Sequence, residues 1–249
     1  MKLNIFSTQH TIILVIVWFA FSNYNKLQAQ TTNKLDNQQI WTYFYPHIVL
    51  NDKLDFTGDI RYRTFASRQD IFSMYIRPSW SYHTNKRWTF HGGIGFFYTE
   101  SKEAILNKFE IRPWQGVQYN GPKLGILSLK HLIRAEERFS NFPQVNEAYY
   151  FEFRLRYKLS GKLSFSNNKT FKNWYLPFYG ELFFPVFDEL DGFFSNKSRI
   201  GGGIGHKGTD WKLQMTYNWH SSRAIPDADL DYGFNSLQVK FFKIWDLRK

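Results

Sequence analysis

The segment YFEFRLRYKL, Tyr150 to Leu159, sets Phe151, Phe153, Leu155, Tyr157 and Leu159 against Glu152, Arg154, Arg156 and Lys158. Successive side chains of a β-strand leave opposite faces, so this period of two gives one apolar face and one charged face. The pattern recurs along the chain. In KLDFTGDIRYRTF, Leu54, Phe56, Ile60 and Tyr62 oppose Asp55, Thr57, Asp59, Arg61 and Arg63. In DIFSMYIRPSWSY, the row from Phe72 through Met74, Ile76 and Trp80 to Tyr82 opposes Ser73, Arg77, Ser79 and Ser81. WKLQMTYNWH alternates in the same way from Trp211 to His220.

Eleven such runs can be marked, at 40–50, 53–65, 71–83, 87–99, 106–119, 125–139, 147–160, 174–185, 195–207, 210–221 and 233–245. Two architectures suit them. In a soluble sandwich or periplasmic barrel the apolar face is the core; in a membrane barrel it meets lipid and the polar face lines the lumen. Soluble strands usually run to about 5–6 residues, whereas a tilted strand needs ~9–11 to cross a bilayer. Many of these runs reach the longer figure. Aromatic residues make up 20% of the chain, which suits a surface against headgroups and acyl chains. The expectation is an all-β, antiparallel up-and-down transmembrane β-barrel of about 10–12 strands.

The connections support that choice. Short turns (LNDK, HTNKR, YNGPK, HKGTD) largely alternate with longer segments (ESKEAILN, SNFPQVN, VFDELDGFFSN, SSRAIPDADLDYG). Outer-membrane barrels place short turns at the periplasmic rim and long loops outside. The short ASRQD and the medium-length SGKLSFSNNKTFKNW are exceptions. Both termini are expected at the periplasmic rim, although an odd number of runs sits awkwardly with that.

At the front, TIILVIVWFAF (Thr11 to Phe21) is too short to span a bilayer and matches the apolar core of a secretory signal. Cleavage after Ala29 would remove 1–29 and leave 30–249 as a single barrel domain in the bacterial outer membrane. There is no cysteine, which excludes a lipoprotein, a disulfide scaffold and thiolate metal sites. The net charge of +11 is spread singly among acids and not gathered in one patch, so nucleic acid is not an expected partner. The expected partner is outer-membrane lipid, with small anionic solutes as possible cargo.

The candidate site is the charged inner face: Arg61, Arg63, Arg77, Glu110, Arg112, Arg134, Glu136, Arg138, Glu152, Arg154, Arg156, Glu181 and Arg199, with Asp55 and Asp59. Ions in a narrow lumen must be paired and hydrogen-bonded, and the guanidinium fork suits a carboxylate. One reading is a structural network that plugs the barrel; another is a narrow Arg-lined path favouring anions. An enzymatic alternative rests on YNWHSSR, where His220 could activate Ser222 in a lipid hydrolase. A third reading is a protein whose outer loops bind a surface partner.

Other signals are weaker. The seven histidines lack metal-ligand spacing, and no cofactor is expected. GGGIG (Gly201 to Gly205) lies in a strand pattern, where glycine eases close packing. DELDGF lacks the ligands of a calcium loop, and PDADLD offers three acids for weak cation binding.

In order along the chain, FEIRPWQGVQ (109–118), HLIRAEERF (131–139), FRLRYKL (153–159), YGELFF (179–184) and SRIGGGIGHK (198–207) resemble the bacterial family called domain of unknown function 2490. The resemblance spans about residues 38–245, with Glu137 where the family often has Gln. It implies a barrel-like fold and outer-membrane placement, and no activity or catalytic residues.

Overall fold

The alternating runs become strands throughout. The computed structural model describes residues 38–66, 71–101, 107–141, 143, 149–165, 171–186, 198–222 and 231–248. The expected leader at 1–29 and the acid-bearing segments 187–197 and 223–230 lie outside the described residues. The strands are β1 (Gln38–Val49), β2 (Leu54–Thr57), β3 (Ile60–Phe65), β4 (Ile71–Ile76), β5 (Ser79–His83), β6 (Trp88–Ser101), β7 (Lys108–Asn120), β8 (Leu127–Asn141), β9 (Tyr149–Ser164), β10 (Trp174–Pro185), β11 (Ser198–Lys207), β12 (Trp211–Ser222) and β13 (Asp231–Asp246).

Two runs are broken strands. β2 and β3 form one stave interrupted at Gly58–Asp59, and β4 and β5 form another interrupted at Arg77–Pro78. Proline has no N–H to give a ladder, and the interruptions fall beside Pro46 and at Pro78. Side chains would not fit there: a Cβ on Gly58 would run into the Pro46 ring, and one on Gly93 into the Pro78 carbonyl. The backbone remains bonded across the gaps. Gly58 N–H donates to Pro46 O at 2.8 Å, Arg77 N–H to Asp59 O at 2.9 Å and Ile94 N–H to Pro78 O at 3.2 Å. A barrel in hydrocarbon needs that continuity, because lipid offers no hydrogen bonds.

The wall therefore has eleven staves, each antiparallel to the next along the chain. The ring closes where β1 meets β13, in parallel register from Gln38↔Asn235 to Val49↔Asp246. Parallel closure is the geometric result of an odd count. It also corrects one expectation: β1 starts at the rim of the long connections, while β13 ends at the rim of the short turns. Both ends on one side would have required an even number of staves.

The two faces divide as the alternation predicts. Outward lie Met74, Ile76, Ile133, Leu155, Ile200, Ile204 and Met215, all exposed, with Ile200 at 63%. So much accessible apolar surface around a closed wall is the signature of contact with lipid. Tyr82, Trp88, Trp174 and Trp245 are exposed near the short-turn rim, and Tyr62, Tyr98, Phe139 and Trp219 near the other. These are the aromatic girdles of a membrane barrel. Inward lie the charged side chains, joined by Trp41, Tyr43, Tyr75, Phe97, Trp114, Tyr175, Tyr179 and Phe183, all buried.

Candidate functional site

The lumen is built by the inward positions of consecutive staves, so residues far apart in sequence meet at one level. Across β8 and β9 the register places Glu136 opposite Arg154 and Arg134 opposite Arg156. Across β9 and β10 it places Glu181 opposite Lys158. Every inward residue of these strands is two from the next, and the closed ring points them all at the same axis.

At the centre Glu136 has no exposed surface. Its Oε2 accepts from Arg154 Nη2 at 2.6 Å and Nε at 3.1 Å. Arg156 bonds its other oxygen, and Arg112 and Arg134 each lie 3.6 Å away. One carboxylate thus sits among four guanidiniums. Arg156 also donates to Glu181 at 2.5 Å, and Arg199 lies 3.4 Å from the same carboxylate. On the other side, Glu110 accepts from Arg112 Nε at 2.6 Å and from Arg138 Nε at 2.9 Å, with Lys108 at 3.0 Å. Arg138 continues to Glu152. Ten of the expected residues, from Glu110 to Arg199, therefore join one connected network.

The remaining three expected arginines sit apart from those pairs. Arg77 bonds Asp59, which also accepts from Tyr75 OH at 2.6 Å. Arg61 donates to Tyr43 OH at 3.3 Å and lies 4.0 Å over the Tyr75 ring. Arg63 lies 5.6 Å over Trp41. Aromatic faces take up the surplus of cations elsewhere too. Arg112 lies 3.9 Å over Phe97, Arg134 4.1 Å over Trp114 and Arg156 4.7 Å over Phe183. A ring face attracts a cation most strongly where water is excluded. Sequence reading missed this inner aromatic set, because it read aromatic residues as lipid-facing. The available signal was parity: Tyr75, Trp114 and Phe183 occupy the same alternate positions as Arg77, Arg112 and Glu181, and Trp41 that of Gln39.

His220 is buried in the lumen, stacked at 4.0 Å on Phe234 and 5.1 Å from Trp41. Its Nε2 lies 2.9 Å from Ser236 Oγ on β13, and its Nδ1 accepts from Arg199 Nε at 3.2 Å. Because a guanidinium only donates, Nδ1 must be the acceptor and Nε2 must carry the ring proton. His220 then donates to Ser236 Oγ, which also accepts from Gln238 Nε2 at 3.0 Å. A general base needs the reverse tautomer, with an acid on the far nitrogen. Ser236 also has no exposed surface. Ser222 closes β12 in register with Asp231, beyond a bulge at His220/Ser221. The expected His-x-Ser pair thus has its histidine committed to a different serine, in a geometry suited to structure.

Asn218 completes this wall. It accepts from Tyr179 OH at 2.6 Å and donates to Ser236 O at 3.1 Å. Gly201 makes room for it: a Cβ there would strike Asn218 and the Tyr179 ring. Gly205 likewise lies under the Tyr175 ring. Among the described residues no group of His, Asp or Glu is arranged to hold a metal ion.

A bacterial polysaccharide outer membrane secretin is similar at 11% identity and TM-score 0.47, over 78% of this chain and 64% of that one. This chain therefore spans less than two thirds of that protein. LpxR from Salmonella typhimurium is similar at 7% identity and TM-score 0.49, over 90% of this chain and 93% of that one. No curated protein sequence matches. One family model, described as "Protein of unknown function (DUF2490)", matches residues 38–229, most of the wall. By that match, which runs from the start of β1 to just beyond the end of β12, the chain belongs to the DUF2490 family.

Proposed function

We propose that this chain is an integral β-barrel of a bacterial outer membrane whose lumen is closed partway along by its own ions. In this reading it is neither an open pore nor a hydrolase. The observation that carries it is the complete burial of Glu136 among Arg112, Arg134, Arg154 and Arg156 at mid-lumen. An anion path needs cations that face water and exchange ions, whereas these cations are taken by carboxylates and ring faces. Its outward aromatic girdles and aliphatic belt support residence in lipid, with the short turns toward the periplasm. Purified protein in a planar bilayer should show no steady unit conductance; a stable, anion-selective step from the unaltered chain would overturn the reading.

A further inference from the structure

We propose that the short-turn half of the lumen is a cup that binds a compact, phosphate-bearing anion. The closed network occupies the half nearer the long connections. Toward the short-turn rim the inward positions are filled by lysine: Lys130 on β8, Lys158 and Lys162 on β9, Lys207 on β11, Lys212 on β12 and Lys240 on β13.

Three observations distinguish this cluster from a solvated surface. First, the lysines converge on one space. Lys207 and Lys212 are direct cross-strand partners, and on the neighbouring staves β8 and β9 Lys130 lies opposite Ser160, one inward position along from Lys162. Second, carboxylates offset them only at the floor, where Glu181 lies across the ladder from Lys158. Among the described residues none of the six forms an ion pair. Asp55, on a stave across the lumen, is already bonded by His47 and His83, each at 2.8 Å, and Asp246 at the rim is held by Arg248. Third, the cup has an open mouth and a floor. Lys130, Lys162 and Lys207 are inward-facing yet exposed, so solvent reaches them from the rim. Lys158 and Lys240 lie deeper, 4.3 Å and 5.4 Å over the Tyr179 ring.

Like charges placed directly opposite one another destabilise a sheet. Charges gathered in a cleft with low-dielectric walls also raise the local concentration of counter-ions. A multivalent anion relieves the repulsion of several ammoniums at once, and lysine is a common phosphate ligand as a point charge. The barrel wall separates the cup from the lipid, and the network closes its far end. This favours a small soluble anion over a lipid headgroup or a threaded polymer.

The test uses the full chain in nonionic detergent, titrated with inorganic pyrophosphate at low ionic strength, where screening is weak. Saturable binding is expected, weakened by about tenfold in K207Q/K212Q and unchanged in Lys243→Gln, whose side chain bonds Asp210 outside the cup. A second arm offers phosphatidylglycerol in mixed micelles. Sensitivity to the double substitution in the pyrophosphate arm assigns a soluble anion; sensitivity confined to the lipid arm assigns a phosphate headgroup entering over the rim. Absence of binding in both arms, or binding indifferent to the substitutions, overturns the proposal. The ligand-free double variant should melt no lower than the parent, since repulsion is relieved. A clear drop would mean that the lysines serve the fold, and would also overturn it.

Discussion

The two halves of the lumen carry positive charge in different chemical forms. Toward the long connections the cations are, apart from Lys108 beside Glu110, arginines, paired with Glu110, Glu136, Glu152 and Glu181 or laid on rings. Toward the short turns they are lysines, of which only Lys158, at the boundary between the halves, has an acid, Glu181, across the ladder. β9 makes the change within one strand, running Arg154, Arg156, Lys158, Lys162. The guanidinium is planar and weakly hydrated, so it can be packed dry between carboxylate and aromatic faces. The ammonium is a compact, strongly hydrated charge that favours water. Arginine therefore builds the closed half and lysine the wet half, and an Arg-to-Lys change here is not conservative.

The largest expected effect comes from removing the hub of the closed half. Glu136→Ala leaves buried guanidiniums without their shared partner and should cost about 3–5 kcal/mol, read as lost heat-modifiable gel mobility or a lower melting point in detergent. If stability is unchanged, the closed half is not held by its ions and the contrast between the halves fails. Next, Trp114→Ala removes the ring beneath Arg134 and Arg77. It should cost roughly 3 kcal/mol, at the lower end for large aromatic truncations, and a much smaller loss in thermal unfolding would show that the inner aromatics only fill space.

A smaller effect is expected at His220, whose bonds to Ser236 and Arg199 are lost in His220→Ala. About 1–2 kcal/mol of stability should disappear with them, while short-chain ester hydrolysis stays at the buffer rate in both proteins. Hydrolysis by the parent that the variant lacks would restore the enzymatic reading. The smallest effect belongs to the short-turn rim, outside the membrane. There Lys243 hydrogen-bonds the exposed Asp210 and holds its carboxyl below the usual range. A depressed folded pKa stabilises above the unfolded value and is lost as the pH falls through the folded one. Asp210→Asn should therefore flatten only a faint acid-side slope in the melting point, within measurement error near neutrality because exposed pairs contribute little.

Much of the wall was legible in the sequence. The run marked at 174–185 coincides with β10, and that at 210–221 is within a residue of β12. Proline and glycine interruptions inside 53–65 and 71–83 were not read as breaks, because the alternation carries on across them. The inner face was legible in part. Positions of the charges followed from parity, but Trp41, Trp114 and Phe183 were hidden by the habit of assigning aromatics to lipid. Lys130, Lys162, Lys207 and Lys212 were not joined into a site because they lie on four different strands. Only the ring brings them together.

By itself the sequence determined the period of two, the number of long runs and the split between a lipid-facing and a polar surface. These are local properties, set by side-chain direction within each strand. The tertiary structure decided what depends on register around the circle: that eleven staves close with β1 parallel to β13, that Glu136 sits among four arginines, and that His220 meets Ser236 instead of Ser222. A strand fixes which way a side chain points, but only closure fixes what it points at.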